Sequence, residues 1–263
     1  MFDRGWRFLG SDFEALITEA ERELFSGWDF SYIEATNRYR LEPVSWDYNA
    51  IVRERMKKAE SMLDMGTGGG ERLAELRPFP KMAYATEGYV PNVPIARKRL
   101  ESLGVRVIQV TSEEDLPFPN ESFDLIINHH SGYSVRALHR VLKPGGTFLT
   151  QQVGDRNNRE LNELLERKLH GTVKEEHWDL EIATHQLQSA GFEILDAKEE
   201  FPKTMFRDVG AVVFYLRAIP WVIPDFNVQR YRKELAELHQ QMQAEGKLEV
   251  TSHRFYLEAS KRT

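Results

Sequence analysis

The chain has 263 residues, 41% of them hydrophobic and 29% charged, enough to bury a sizeable core. Its net charge of −6 disfavours a protein that grips a nucleic-acid backbone over a long footprint. With no cysteine, disulfides, thiolate zinc sites and thiolate nucleophiles are all excluded.

The first residues carry acids early and lack a continuous apolar core, so no signal peptide is expected. Ser11 and Glu14 make a capping-box pattern, and Phe13, Leu16, Ile17, Ala20 and Leu24 keep helical spacing, which predicts a helix over 12–25. Aromatic residues then crowd the chain: Trp28, Phe30, Tyr32, Tyr39, Trp46 and Tyr48. Each ring alone suits packing over a sheet; as a set, some are expected to line a ligand cleft. A second helix is expected over 47–60, on a stripe of Tyr48, Ile51, Val52 and Met56.

From Ser61 the rhythm changes to alternating strands and helices, which argues for an α/β fold with a doubly wound, mostly parallel sheet of seven strands. Strands are expected at 61–65, 82–87, 105–110, 123–128, 147–152, 192–199 and 252–260. Helices are expected at 71–77, 91–103, 135–142, 157–170 and 180–190. The final quarter predicts a helix over 209–219, a break at 220–224 and an amphipathic helix over 228–245. The longest apolar run, 211–216, is too short to span a bilayer, so a cytoplasmic protein without membrane contact is expected. The expected organisation is a single domain over 1–263. It has N-terminal helices with an aromatic cap (1–60), a cofactor-binding core (61–202), a helical insertion or lid (203–250) and a last strand (251–263).

The chain is organised around 62–72. A short apolar run ends at Asp64, four glycines fall within 66–70, and a helix-forming stretch begins at Glu71. Glycine accepts positive φ and lets a ligand approach the backbone, while a helix start offers free N–H groups. The dinucleotide fingerprint Gly-x-Gly-x-x-Gly fails from Gly66, where the sixth position is Glu71, and from Gly68, where it is Leu73. What fits is acidic-x-Gly-x-Gly-x-Gly, on Asp64, Gly66, Gly68 and Gly70. Glu87 ends the second strand, 21 residues after Gly66, where an acidic side chain can accept hydrogen bonds from a ribose diol.

With this loop, the chain resembles the class I S-adenosylmethionine-dependent methyltransferases. Two further stretches carry the resemblance. Leu116-Pro117-Phe118 followed by Phe123-Asp124 is similar to the family's third and fourth motifs, and Arg140-Val141-Leu142-Lys143-Pro144-Gly145-Gly146 to its turn into strand five. Together they cover about 63–150. The resemblance implies S-adenosylmethionine as methyl donor, S-adenosylhomocysteine as product and no metal. It places Asp64, Gly66, Thr67, Gly68 and Gly70 at the methionine end, Glu87 at the ribose, and Ser112, Glu113, Leu116 and Asn128 among the cofactor contacts. The family has an acid where this chain has Ser112, so which of Ser112, Glu113 and Glu114 meets adenine stays open.

His129 and His130 follow strand four, at the carboxyl end of the sheet beside the expected crevice. Either could serve as a general base, since imidazole titrates near neutrality; the alternative for each is packing in the turn or facing solvent. Trp28, Tyr32, Trp46, Tyr133 and Trp221 are candidates for the acceptor pocket. His170, His177 and His185 lack metal-ligand spacing, so no metal site is expected. The leading expectation is an enzyme that methylates an O or N atom of a small molecule, with a homodimer compatible. An RNA base methyltransferase and a non-catalytic cofactor-binding protein are the alternatives. A nicotinamide dehydrogenase is disfavoured by the missing third fingerprint glycine.

Overall fold

The computed structural model describes residues 6–25, 29–165 and 177–262. The described chain divides into two compact units. One takes residues up to Pro43, from Arg156 onwards, and Phe201–His253; the other takes Val44–Asp155, the stretch up to Glu200 that precedes Phe201, and Arg254 onwards.

The second unit holds the seven-stranded sheet, in the order β4-β3-β2-β5-β6-β10-β7. Its strands are β2 (Ser61–Met65), β3 (Met82–Glu87), β4 (Val105–Gln109), β5 (Phe123–His129), β6 (Leu142–Val153), β7 (Phe192–Glu200) and β10 (Arg254–Lys261). Strands β2 to β6 pair in parallel, and β10 runs antiparallel between β6 and β7. The α/β reading with a mostly parallel sheet of seven strands is correct; the last strand, which follows the excursion at 203–250, runs antiparallel, a direction not read from sequence. β2 is buried along its whole length, as a central parallel strand covered on both faces must be. Two apolar clusters cover the faces, one around Val52, Met62, Leu100 and Tyr256, the other around Leu63, Ile126, Phe148 and Phe255.

Local sequence explains the boundaries. Asp47, Ser134 and Asp179 cap the helices Tyr48–Met56, Val135–Val141 and Leu180–Ser189 by accepting from N–H groups three residues on. The Pro144-Gly145-Gly146 turn sits inside β6 as a bulge: Phe123 faces Leu142, and the next pair is Leu125 with Thr147.

The first unit contains the helices Trp6–Arg22, Val209–Ala218 and Arg232–Glu245, packed on a core that includes Phe206, Tyr231 and Leu235. It also holds a small sheet not expected from sequence: β1 (Tyr39–Leu41), β8 (Lys203–Phe206) and β9 (Leu248–Thr251), all antiparallel. The N-terminal helix runs straight through Ser11 rather than starting there, so Ser11 is not its cap. Among the described residues, no helix is long and apolar enough to cross a membrane.

Candidate functional site

The carboxyl ends of β2, β3 and β5 converge on the glycine loop. Gly66, Gly68 and Gly70 all have positive φ, at 69°, 62° and 80°. Two of them are also pinned by neighbours. A Cβ on Gly66 would lie 2.1 Å from Ser131 Oγ, and one on Gly70 would lie 2.7 Å from Leu100. The loop is braced from β3: Thr67 N donates to Thr86 O at 2.9 Å, and Gly68 N donates to Glu87 Oε2 at 2.6 Å. The other carboxylate oxygen of Glu87 accepts from Tyr89 N at 2.7 Å. A carboxylate has about four lone-pair directions, so a buried Glu87 holding two amides still has acceptor capacity for a diol. Residues and backbone here therefore fit a nucleoside-bearing ligand: a loop in which Thr67 is the one residue of 66–70 with a side chain, with a carboxylate set at its edge.

Asp64, at the end of β2, is also buried. Burial pushes its carboxyl up to about 7, against the opposing pull of the Thr67 hydroxyl and the Arg72 guanidinium. Asn128 pairs with Met65 across β2 and β5. Its side chain is committed inside the protein. Oδ1 accepts from Thr150 Oγ1 at 3.0 Å and from Gln152 Nε2 at 2.6 Å, and Nδ2 reaches Met65 O and Gly132 O at 3.4 Å. Asn128 thus ties the strand ends together.

In the acidic loop, Ser112 Oγ accepts from Glu114 N at 3.1 Å, and Glu114 bridges Arg136 at 3.0 Å. Glu113 is exposed and has no partner among the described residues. Leu116 is buried, and its carbonyl and that of Phe118 each accept from Arg140 at 2.6 Å. Arg140, read from sequence only as part of a turn motif, holds the Leu-Pro-Phe segment by its main chain.

His129 and His130 lie side by side, ring centroids 3.9 Å apart and stacked. His130 has φ 56°, a conformation costing a non-glycine residue about 1 kcal/mol or more, and this reverses the chain so that the second ring folds onto the first. Gln151, opposite His129 in the β5–β6 register, contacts both: its Nε2 lies 2.9 Å from His129 Nε2 and 3.4 Å from His130 Nε2. Trp46 Nε1 donates to Gln151 Oε1 at 2.7 Å. Burial holds His129 well below the ordinary histidine range, and Arg72 and Arg254 act in the same direction. For His130, dense surroundings act first and then His129, Arg254 and Arg72. His130 as a residue is exposed.

The five aromatic candidates separate. Trp28 lies outside the described residues. Tyr32 and Trp221 belong to the first unit. There Tyr32 donates to Glu19 at 2.5 Å and packs on Phe214, and Trp221 is 64% exposed. Trp46 and Tyr133 belong to the second unit. Trp46 is buried against Tyr256 and acts through Gln151. Tyr133 packs on Phe148 and Trp178, and its hydroxyl is buried without a partner among the described residues. Gln151 and Arg72 were not picked out from sequence; the polar pair Gln151-Gln152 ending an otherwise apolar strand was the available signal for the former. Among the described residues, no group of three or more His, Asp or Glu side chains could hold a metal ion.

Residues 63–150 match the family model described as a methyltransferase domain. The chain is 28% identical over 113 residues to the uncharacterized methyltransferase YcgJ of Bacillus subtilis, covering 39% of this chain and 45% of that protein. It is 37% identical over 100 residues to a ubiquinone biosynthesis O-methyltransferase of Paramagnetospirillum magneticum, covering 34% and 39%. It is 28% identical over 121 residues to a ubiquinone/menaquinone biosynthesis C-methyltransferase UbiE of Pseudoalteromonas translucida, covering 40% and 47%. The chain thus spans less than half the length of these curated relatives. Among solved structures, YcgJ from Bacillus subtilis superposes with TM-score 0.55 at 18% identity, covering 82% of this chain and 98% of that one. The cyclase SpnF superposes with TM-score 0.51 at 21% identity, covering 82% and 80%. A fold shared with a cyclase does not fix a reaction; that has to come from the site.

Proposed function

We propose that this protein, whose residues 63–150 match the methyltransferase-domain model, is a class I S-adenosylmethionine-dependent methyltransferase that transfers a methyl group from S-adenosylmethionine to an O or N atom of a small molecule in the cytoplasm. The observation that carries this reading is the positive-φ glycine loop tied by Gly68 N to Glu87. Asp64 with the Gly66, Thr67, Gly68 and Gly70 backbone would hold the methionine end, and Glu87 the ribose. Glu113, an exposed carboxylate of its loop without a partner among the described residues, would meet the adenine amino group beside Leu116, with Ser112 shaping the turn. Asn128 would act by fixing the strand ends under the cofactor.

The donor is a sulfonium already activated for displacement, so the hard chemistry is its own. The chain's residues orient donor and acceptor, keep water out and deal with any proton. His129, His130 and Tyr133 are assigned to the acceptor side. Calorimetry with S-adenosylhomocysteine tests the reading: saturable heat is expected, and none from well-folded protein would overturn it. Binding without methyl transfer to any of a broad set of small phenols, amines and carboxylates would leave a non-catalytic binding protein.

A further inference from the structure

An indole nitrogen has a proton to give and no lone pair to accept with. Trp46 Nε1 therefore fixes which end of the Gln151 amide it faces: the oxygen, at 2.7 Å. The amide nitrogen must then point the other way, toward the two imidazoles, where it meets His129 Nε2 at 2.9 Å and His130 Nε2 at 3.4 Å. An NH2 group is donor only, so each of those ring nitrogens has to present a lone pair. Both rings are consequently neutral with the proton on Nδ1, and protonating either Nε2 would set N–H against N–H. The stacking at 3.9 Å also opposes two imidazolium charges in contact.

This arrangement removes what a general base needs. The basic lone pair of each ring is already spent on Gln151. What remains open is the Nδ1–H of His130, which has no hydrogen-bond partner among the described residues and belongs to an exposed residue. We infer that Gln151, oriented by Trp46, holds His129 and His130 in the Nδ1–H form. His130 then donates a hydrogen bond to an acceptor that enters as an oxyanion, a phenol or enol acidic enough to bind deprotonated. Trp46 and Gln151 are positioning residues in this scheme, and His130 is the one of these three that touches the acceptor. The inference rests on the methyltransferase reading above.

The reaction then balances without a proton acceptor on the protein. The anion's electron pair forms the new bond to the methyl carbon, and the pair of the breaking carbon–sulfur bond stays on sulfur. Sulfonium and oxyanion neutralise each other. A donor N–H at the oxyanion holds it in place and selects the ionised over the neutral acceptor.

Two measurements test this on the full chain loaded with S-adenosylhomocysteine. Long-range 15N–1H NMR of the wild type should show His129 and His130 with Nε2 unprotonated and Nδ1 protonated. Trp46→Phe frees the amide to turn over, and an Nε2–H population should appear in both rings while S-adenosylhomocysteine affinity stays within about twofold. An Nε2–H signal at His129 in the wild type overturns the proposal, as does an unchanged tautomer in Trp46→Phe. Second, 4-nitrophenol reports its own ionisation by absorbance. Its ionisation constant should rise about tenfold on binding, the yield of one hydrogen bond to a charged acceptor, and lose that gain in His130→Ala. No binding, or binding that favours the neutral phenol, overturns the acceptor class. Failure of S-adenosylhomocysteine to bind would instead strike the underlying methyltransferase reading.

Discussion

The main-chain amide of Gly68 donates to Oε2 of Glu87 at 2.6 Å, joining the tip of the glycine loop to the end of the neighbouring strand. A carboxylate so placed holds the loop in a conformation that favours glycine, and in the proposed function it would also take the sugar hydroxyls.

Glu87→Ala should therefore lose more than a ligand contact. Two charge-assisted bonds to backbone amides, worth roughly 1.5–3 kcal/mol each, would go with the side chain. The expected result is a fall of at least tenfold in S-adenosylhomocysteine affinity by calorimetry, together with a lower unfolding midpoint. Glu87→Gln can still accept from one amide and should sit between. Unchanged affinity in Glu87→Ala would separate the residue from the cofactor.

Gly66 allows two costs to be told apart. Gly66→Ala forces an L residue to φ 69° and drives its Cβ into Ser131. Ser131→Gly in the same chain would remove the collision and leave the backbone penalty. In urea unfolding, the double variant should recover part of the stability lost by Gly66→Ala and remain about 1 kcal/mol below wild type. Full recovery would mean that the backbone conformation is not strained; no recovery would mean that Ser131 is not in the way.

Asp64 makes stability depend on pH. Its carboxyl titrates near 3.8 when unfolded and is pushed up to about 7 by burial, so the folded state binds the extra proton across that window. The contribution is fully present below pH 4 and is lost as pH rises through 7, with an upper bound of roughly 4 kcal/mol. Asp64→Asn keeps the shape and cannot titrate. The stability of wild type minus that of Asp64→Asn should fall steadily from pH 4 to pH 7.5; a flat difference would contradict the burial effect.

Much of the second unit was legible because parallel strands announce themselves. Ser61–Met65 and Met82–Glu87 are apolar runs bounded by turn residues, and their observed limits match the expected ones. The glycine loop was readable for the same reason: backbone demand appears directly as residue type. The small sheet of the first unit was not. β1, β8 and β9 are three or four residues long and pair Tyr39 with Phe206 and Lys203 with Thr251, partners far apart in the chain with no periodicity to mark them. The same holds at the site. Trp46 read as a pocket wall because nothing local indicates that its N–H is taken by Gln151, 105 residues away. Arg140 read as part of a turn because its targets, Leu116 O and Phe118 O, lie in another loop.

Arg72, in the first turn of the helix Glu71–Glu75, offers the last test because it acts on several groups at once. Its positive charge lowers the pKa of Asp64 by favouring the carboxylate, and lowers those of His129 and His130 by opposing the imidazolium. Removing that charge should therefore raise all three. Arg72→Gln keeps hydrogen-bonding capacity toward Asn49, now 3.3 Å from Arg72 Nη1, so a local collapse is not expected. Titration followed by NMR in wild type and Arg72→Gln should show the Asp64 carboxyl and both imidazoles moving upward together, by less at high salt because the guanidinium is exposed. A loosened structure would behave differently. Better hydration would lower Asp64 toward the ordinary carboxylate range while raising the histidines. Opposite movements would thus show that the site opened, and common movement that Asp64, His129 and His130 share one electrostatic environment around Arg72.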